Sequence, residues 1–215
     1  MAVNSFKRFK RNFLPVIDIV ETLRWSKKLH GFTGFAIHFG RTLLMEDIMS
    51  ELKELAHFLY GHGFWYANPV REVDGLTEEQ LFRVPDPNSL CALWHVGHIA
   101  HRERVHIGKF LQGIEGNVIP PEYEAFGPDW CSVEDIRKSI GSVKDVFEWV
   151  RDVREESHNY IEALKDADFL KVPPTSAEGL SVAHWLFITV AHGALHIGRI
   201  QLLRAMIEGK QERMC

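Results

Sequence analysis

Two groups of histidines in the sequence have the residue type and spacing of metal ligands. The first lies in WHVGHIAHRERVH, residues 94–106, where four histidines interrupt an otherwise ordinary amphipathic helical pattern. The second lies in AHGALHIGRIQLL, where His192 and His196 are four residues apart. Side chains four residues apart lie one turn above each other on one face of an α-helix, so this pair can reach a single ion.

The pair of histidines in the second group is predicted to face the protein interior. Its neighbours on the same helical face are Trp185, Ile188, Ile200 and Leu203. A buried polar group without a partner costs about 1–3 kcal/mol, so both imidazoles need hydrogen bonds or a metal. A single interior histidine is commonly bonded to a carbonyl. Two stacked histidines, with further imidazoles on another helix, favour a divalent ion that has three protein ligands and one open position.

The third ligand is expected from the first group of histidines. His95, His98 and His101 point in directions about 60° apart on a helix, so they cannot all bind one ion. His106 falls near His95 on the same projection. Helical periodicity alone leaves His95 and His98 as alternatives, with His101 and His106 facing solvent or supporting the ligands.

Helices must position these histidines, and the sequence predicts an all-α four-helix bundle over residues 49–209. No strand-like alternation is present, and loops rich in Pro and Gly separate four segments of helical period. Long helices joined by substantial loops are typical of such bundles. The predicted helices cover residues 50–67, 88 or 89 to 113, 132–165 and 181–208. Residues 1–48 form an N-terminal extension, predicted to be helical, and residues 210–215 a short tail.

Local signals fix several of the predicted helix ends. Thr77 and Gln80 have the spacing of a capping box and predict a short helix, and Ser132 with Asp135 predicts another helix start. Gly209 is a natural stop for the last helix. The loop over residues 114–131 is long enough to suggest a function, and its Phe126 and Trp130 are candidates to close over an open metal position.

Composition excludes several classes of protein. A hydrophobic fraction of 46% is ample for a buried core, and a net charge of -4 gives no general attraction to nucleic acid. Three cysteines without a CxxC pair predict neither disulfides nor a cysteine zinc site, which favours the cytoplasm. No uninterrupted apolar segment approaches the roughly 20 residues that cross a bilayer, so no integral membrane segment is expected.

The two histidine motifs together resemble the paired signature of the DinB/YfiT-like superfamily of metal-binding four-helix bundles. Trp94, His98 and Glu103 match its W-x-x-x-H-x-x-x-x-E frame, and His192 and His196 match its H-x-x-x-H pair about 90 residues later. The resemblance covers residues 49–209 and favours His98 over His95 as the third ligand. Two positions, Ile197 and Arg199, depart from the residues expected there.

The resemblance implies a divalent metal held by His98, His192 and His196. Zinc or nickel is the expected ion, with iron or manganese as alternatives. Members of the superfamily include thiol S-transferases for bacillithiol or mycothiol, thiol-dependent isomerases and hydrolases. The implied partners are therefore a small-molecule substrate and a low-molecular-weight thiol, and the implied assembly includes a homodimer as one option. A metal with an open position lowers the pKa of a bound thiol or water.

Glu103 has two interpretations. It lies about 140° from His98 on the predicted helix, among apolar residues, so it is not expected to bind the same ion. It either bonds to a neighbouring helix, because a buried charge needs a partner, or orients a metal-bound histidine.

Two other functions remain open from the sequence. The first is a di-iron carboxylate bundle, because Glu54 with His57 and Glu103 with His106 form two E-x-x-H motifs. That function leaves the three histidines of the metal site unexplained. The second is a binding or stress-response module without catalysis, in which the metal only stabilises the bundle, since fold and ligands do not fix chemistry.

Overall fold

The computed structural model describes residues 68–209, and this part of the chain contains helices and no strand. The all-α prediction is confirmed. The extension over residues 1–48, the helix predicted over 50–67 with Glu54 and His57, and the tail over 210–215 lie outside the described residues. The described elements are α1 (Pro69–Glu72), α2 (Glu78–Phe82), α3 (Ala92–Glu103), a π-helix (Arg104–Leu111), a 3-10 helix (Pro121–Phe126), α4 (Val133–Ser139), α5 (Val143–Ala163), two 3-10 turns (Asp166–Asp168 and Ala177–Gly179) and α6 (Val182–Glu208).

Helix α3 is the centre of the described fold, because it packs against both α5 and α6. Its apolar side chains are almost completely buried, and a fully buried Leu, Ile or Phe side chain contributes about 1.5–3 kcal/mol to stability. A second apolar cluster lies further along the bundle, where the π-helix meets α5 and α6. Contacts of His95 with His196 and of His106 with Thr189 show that α3 and α6 run antiparallel. The histidines therefore lie along the contact between these two helices.

Several predicted helix ends are present in the structure. Thr77 Oγ1 accepts a hydrogen bond from the Gln80 amide at 3.2 Å, and Gln80 Oε1 accepts one from the Thr77 amide at 2.9 Å. This reciprocal pair is the capping box that the sequence predicts at the start of α2. Helix α6 begins after Ser181, whose hydroxyl accepts from the His184 amide, and ends at Gly209 with φ 69°. The left-handed backbone at Gly209 favours glycine over other residues.

The single helix predicted over residues 132–165 is wrong in one respect, because it is broken into α4 and α5. Ile140 has extended backbone angles, φ -84° and ψ 148°, and ends α4. Ser142 then caps α5, since its Oγ accepts a hydrogen bond from the Asp145 amide at 3.1 Å. Apolar spacing continues across this break, so periodicity alone does not detect it. The local cap at Ser142 starts a new helix.

The helix predicted from residue 88 or 89 to residue 113 also differs from the structure. It begins later, at Ala92, and changes from an α-helix to a π-helix at Arg104. The Gln112 amide donates to the carbonyl of Ile107, five residues earlier, at 2.9 Å. A π-helix has more residues per turn than an α-helix, so side chains beyond Glu103 no longer follow the α-helical projection. Within this π-helix His106 contacts Thr189 on α6.

Helix α6 is long and apolar, with a mean hydropathy of 1.3 in its most apolar window. By length and composition alone it could cross a bilayer, a property that buried helices of globular bundles share. Its inner face packs against α3 and includes His196 and Ile200. Its outer face exposes four large apolar side chains, Phe187, Leu195, Leu202 and Met206.

Gly97 allows the 3-10 helix to lie directly on α3. A Cβ atom at this position would lie 2.5 Å from ring carbons of Phe126, closer than such atoms approach in proteins. The Phe126 ring is completely buried and packs near Trp149, so it has no free space into which to move. The close contact between Gly97 and Phe126 therefore fixes the position of the 3-10 helix within the loop.

We expect Gly97→Ala to lower the free energy of unfolding by about 1–3 kcal/mol, because the added methyl group overpacks a fixed contact. Urea unfolding of the metal-free protein measures this difference. Gly198→Ala is the control, since Gly198 is exposed on α6 and its Cβ would meet nothing within 4 Å. That change should be neutral or stabilising by up to about 1 kcal/mol. Equal effects of the two substitutions would contradict the close contact.

Candidate metal centre

Three histidines from two helices form the candidate site. His98 comes from α3, and His192 and His196 come from α6. One ring nitrogen of each lies within 4.8 Å of the other two. Among residues 68–209 this is the group of His, Cys, Asp or Glu side chains found in a geometry that could hold a metal ion. The structure thus brings together the three residues that the sequence motifs single out.

The three histidines differ in how far they are exposed. His98 and His196 are buried, whereas His192 is half-buried. The Trp94 ring stacks on His98, with ring centroids 4.2 Å apart and an angle of 18° between the planes. This contact covers one face of the His98 ring. His192 is therefore the member of the group that is partly exposed to solvent.

A backbone carbonyl orients His98. Its Nδ1 donates a hydrogen bond to the carbonyl oxygen of Phe126 at 2.6 Å, so Nε2 retains its lone pair. Metal-binding histidines usually donate their other ring N–H to a carbonyl or carboxylate, which fixes the tautomer and the ring orientation. His98 already has this arrangement.

His95 holds the second buried ligand. The Nδ1 atoms of His95 and His196 are 2.8 Å apart, so one donates a hydrogen bond and the other accepts it. With His196 as the donor, its Nε2 is free to bind a metal. The sequence left His95 and His98 as alternatives for the third ligand. In the structure His98 belongs to the three-histidine group, and His95 contacts a member of that group.

Burial keeps these imidazoles neutral. It lowers the pKa of His98 to about 3, that of His196 to about 2 and that of His95 to about 4. Burial also lowers the pKa of His192, and the charges of Arg102 and Arg199 act in the same direction. An imidazole must be deprotonated to bind a metal, so all three ligands are ready near neutral pH.

His101 and His106 are not simply solvent-facing. His101 is only 7% exposed, and its Nε2 lies 3.8 Å from a carboxylate oxygen of Glu124. Half-buried His106 donates from Nδ1 to the Thr189 hydroxyl at 3.0 Å, because that hydroxyl donates to the Trp185 carbonyl. The prediction of solvent exposure is therefore wrong for His101. His106 has a structural partner on α6.

Glu103 is buried and bonded to a neighbouring helix. It is 1% exposed, and its Oε2 accepts a hydrogen bond from Arg154 Nη1 on α5 at 2.8 Å. Its Oε1 has no hydrogen-bond partner within the described part of the chain. This bond to α5 is one of the two interpretations that the sequence allows. Because Glu103 bonds to α5 and His106 to α6, residues 68–209 do not bring this E-x-x-H pair to one ion.

The loop contributes a ligand-orienting group that the sequence did not reveal. Phe126 was expected to close over an open metal position, but its ring is buried against α3 and its carbonyl binds His98. Trp130, the other candidate, is 60% exposed. A backbone carbonyl has no signature in the sequence. A glycine inside the apolar α3 segment, Gly97, is the signal that could have suggested a close approach of another segment to this helix.

Three neutral imidazoles with ring nitrogens within 4.8 Å of one another suit a divalent metal, and three protein ligands leave a position for an external ligand. The hydrogen bonds to Phe126 and His95 supply the orientation that such ligands need. The described residues therefore fit a metal-binding protein.

The metal-free protein should lose stability as the pH falls from 7 to 5. Burial lowers the pKa of these histidines in the folded state below their ordinary value of 6.5, so the unfolded chain binds more protons in this range. Each such group contributes up to about 1.4 kcal/mol per pH unit. Urea unfolding with a chelator present, at low and high salt, measures the slope and separates it from surface charge. A flat profile would be inconsistent with neutral, buried imidazoles.

We expect His95→Phe to weaken zinc binding by about 10–100-fold, because His196 loses the group that orients it. Competition with a chromogenic chelator measures the affinity. His101→Phe is the matched control, since His101 is also a buried histidine of α3 but makes no hydrogen bond within the described residues. Its affinity should stay within about threefold of the parent protein. If His98→Phe were harmless and His95→Phe abolished binding, His95 would be the third ligand instead.

Comparison with known proteins agrees with this geometry. The sequence model of the DinB superfamily matches residues 68–200, which is more than half of the chain and includes all three histidines. No curated protein matches the chain, and no solved structure matches it either. The chain therefore belongs to the DinB superfamily.

Proposed function

We propose that this protein is a metal-dependent transferase that uses zinc or nickel to activate a low-molecular-weight thiol. The observation that carries the proposal is the group of three neutral histidines, His98, His192 and His196, with ring nitrogens within 4.8 Å of one another. Three protein ligands leave room for an external molecule, as enzyme sites with zinc usually do. When bound, such an ion supplies Lewis acidity that lowers the pKa of a thiol or a water molecule.

The residues around the site hold and orient the ligands but provide no evident base. The charged side chains that shift the pKa of the three histidines are those of Arg102 and Arg199. In the described part of the chain no carboxylate contributes to these shifts. A free thiol has a pKa near 8.5 and water one near 15.7, so a thiol needs less help to lose its proton. This difference favours a thiol over water as the nucleophile.

The described cysteines do not suit the role of nucleophile, which supports a thiol supplied from solution. Burial raises the pKa of Cys91 to about 11 and also raises that of Cys131. A thiol must be deprotonated to attack. In the proposed reaction the sulfur of the external thiol bonds to an electrophilic carbon. The bond from that carbon to its leaving group breaks, the leaving group takes the electron pair, and the thiol proton passes to solvent.

We expect the zinc-loaded protein to catalyse thioether formation between a low-molecular-weight thiol and monochlorobimane, and to lose this activity on chelation. Bacillithiol, mycothiol and cysteine are the thiols to compare. His196→Ala should reduce zinc affinity by more than about 100-fold, since it removes a ligand and not merely its hydrogen-bond partner. His101→Phe should retain both metal and activity. Fluorescence of the product and metal analysis of the same samples provide the two measurements.

Other outcomes of this experiment would identify the alternatives. Ester hydrolysis that needs metal but no thiol would make the protein a hydrolase. One bound metal that raises the melting temperature, without any turnover, would indicate a metal-stabilised binding module. Two irons per chain would indicate a di-iron bundle. Each of these results would contradict the proposed thiol transfer.

A further inference from the structure

Arg102 lies beside the candidate metal site and has no assigned role. It follows His98 by four residues on α3, so the two side chains lie on the same face of the helix, one turn apart. Its Nη2 donates to the carbonyl of Gly127 at 3.0 Å, and His98 donates to the carbonyl of the preceding residue, Phe126. Adjacent carbonyls of one turn thus hold both the guanidinium and the imidazole.

The charge of Arg102 is only weakly neutralised by the protein. Its nearest carboxylate within residues 68–209 is that of Asp129, at 3.8 Å, and the Asp129 side chain is fully exposed. An exposed ion pair of this length contributes little, because water screens it. A guanidinium has five N–H donors, and the contacts in the described part of the chain involve Nη2 alone. Arg102 therefore has donors available for another acceptor.

The surroundings of the three histidines are positively charged. The charge of Arg102 lowers the pKa of His98, His192 and His106. The charge of Arg199, on the exposed side of α6, lowers the pKa of His192 and His196. Within the described residues, the carboxylate that opposes this effect at a neighbouring histidine is that of Glu124, which raises the pKa of His101. A divalent ion would add two more positive charges. Such a field attracts anions and disfavours cationic ligands.

Arg102 can also distinguish a carboxylate from a neutral hydroxyl group. A guanidinium binds a carboxylate through two parallel, charge-assisted hydrogen bonds, which a neutral hydroxyl cannot form. Its side chain is 34% exposed, so it is reachable from solution and partly held by the protein.

We propose that the small molecule bound at the three-histidine site carries a carboxylate, and that Arg102 binds this group while the thiol lies toward the histidines. This inference rests on the proposed metal site and thiol chemistry. It adds the charge class of the ligand and a residue that determines specificity. Arg102 is a binding residue in this arrangement, and the three histidines remain the metal ligands.

Two matched thiols test the inference. Mercaptoacetate and 2-mercaptoethanol have the same length and differ in a carboxylate or a hydroxyl. Calorimetric titration of the zinc-loaded protein should show about tenfold or tighter binding of mercaptoacetate, as expected for hydrogen bonds between charged groups. Arg102→Gln should reduce that preference to less than about threefold, because it weakens the binding of mercaptoacetate more than that of 2-mercaptoethanol. Arg102→Lys should retain part of the preference, because the charge remains without the planar donor pair.

Arg199→Gln is the control for general charge, since Arg199 is exposed and lies on the other helix. It should retain most of the preference. Zinc content, measured first in every variant, separates the two proposals. A parent protein that binds no zinc would overturn both the metal site and this inference. Zinc binding with equal affinity for the two thiols, or an unchanged preference in Arg102→Gln, would overturn the inference about Arg102 alone.

Discussion

Imidazoles buried in an apolar interface must have hydrogen-bond partners, and this requirement organises the contact between α3 and α6. His98 bonds to a loop carbonyl, His196 to His95, and His106 to Thr189. Each bond joins segments that are far apart in sequence. Because an unpaired buried group costs about 1–3 kcal/mol, the bonds restrict how these helices and the loop can be arranged. The geometry of the ligands follows from the same restriction.

The site is therefore built from three separate segments that support one another. Helix α6 supplies two candidate ligands at helical spacing, α3 supplies the third, and the 3-10 helix orients the third through its last carbonyl. Gly97 permits the close approach of that last segment. Orientation by partners outside the metal's own ligands is how metal sites in proteins are tuned. Arg102 uses the next carbonyl of the same turn, which couples the charged group to the ligand geometry.

The sequence predicts the parts of this structure that depend on local pattern. Helical period, the capping residues Thr77 and Ser132, and the pair His192 and His196 were enough for the helical class and for two candidate ligands. Periodicity did not detect the break at Ile140, because apolar spacing continues through it. Helical periodicity also did not separate the roles of the histidines on α3. A helical projection gives the direction of each side chain but not the atoms that its ring contacts. The orienting carbonyl had no signature, because every residue has one.

The π-helix after α3 has a consequence for how this part of the chain tolerates length changes. A π-turn holds about one more residue than an α-turn, so it behaves as an insertion absorbed within a continuous helix. Deleting one residue between Arg104 and Leu111 would allow ordinary α-helical winding, and the preceding ligands would keep their places. Side chains of the segment that follow the deletion would move by one position, about 100° around the axis, whereas the return to α-helical winding would leave those beyond Leu111 near their present direction. A deletion ahead of His106 would separate that residue from Thr189, so the position of His106 within the π-helix is what aligns it with α6.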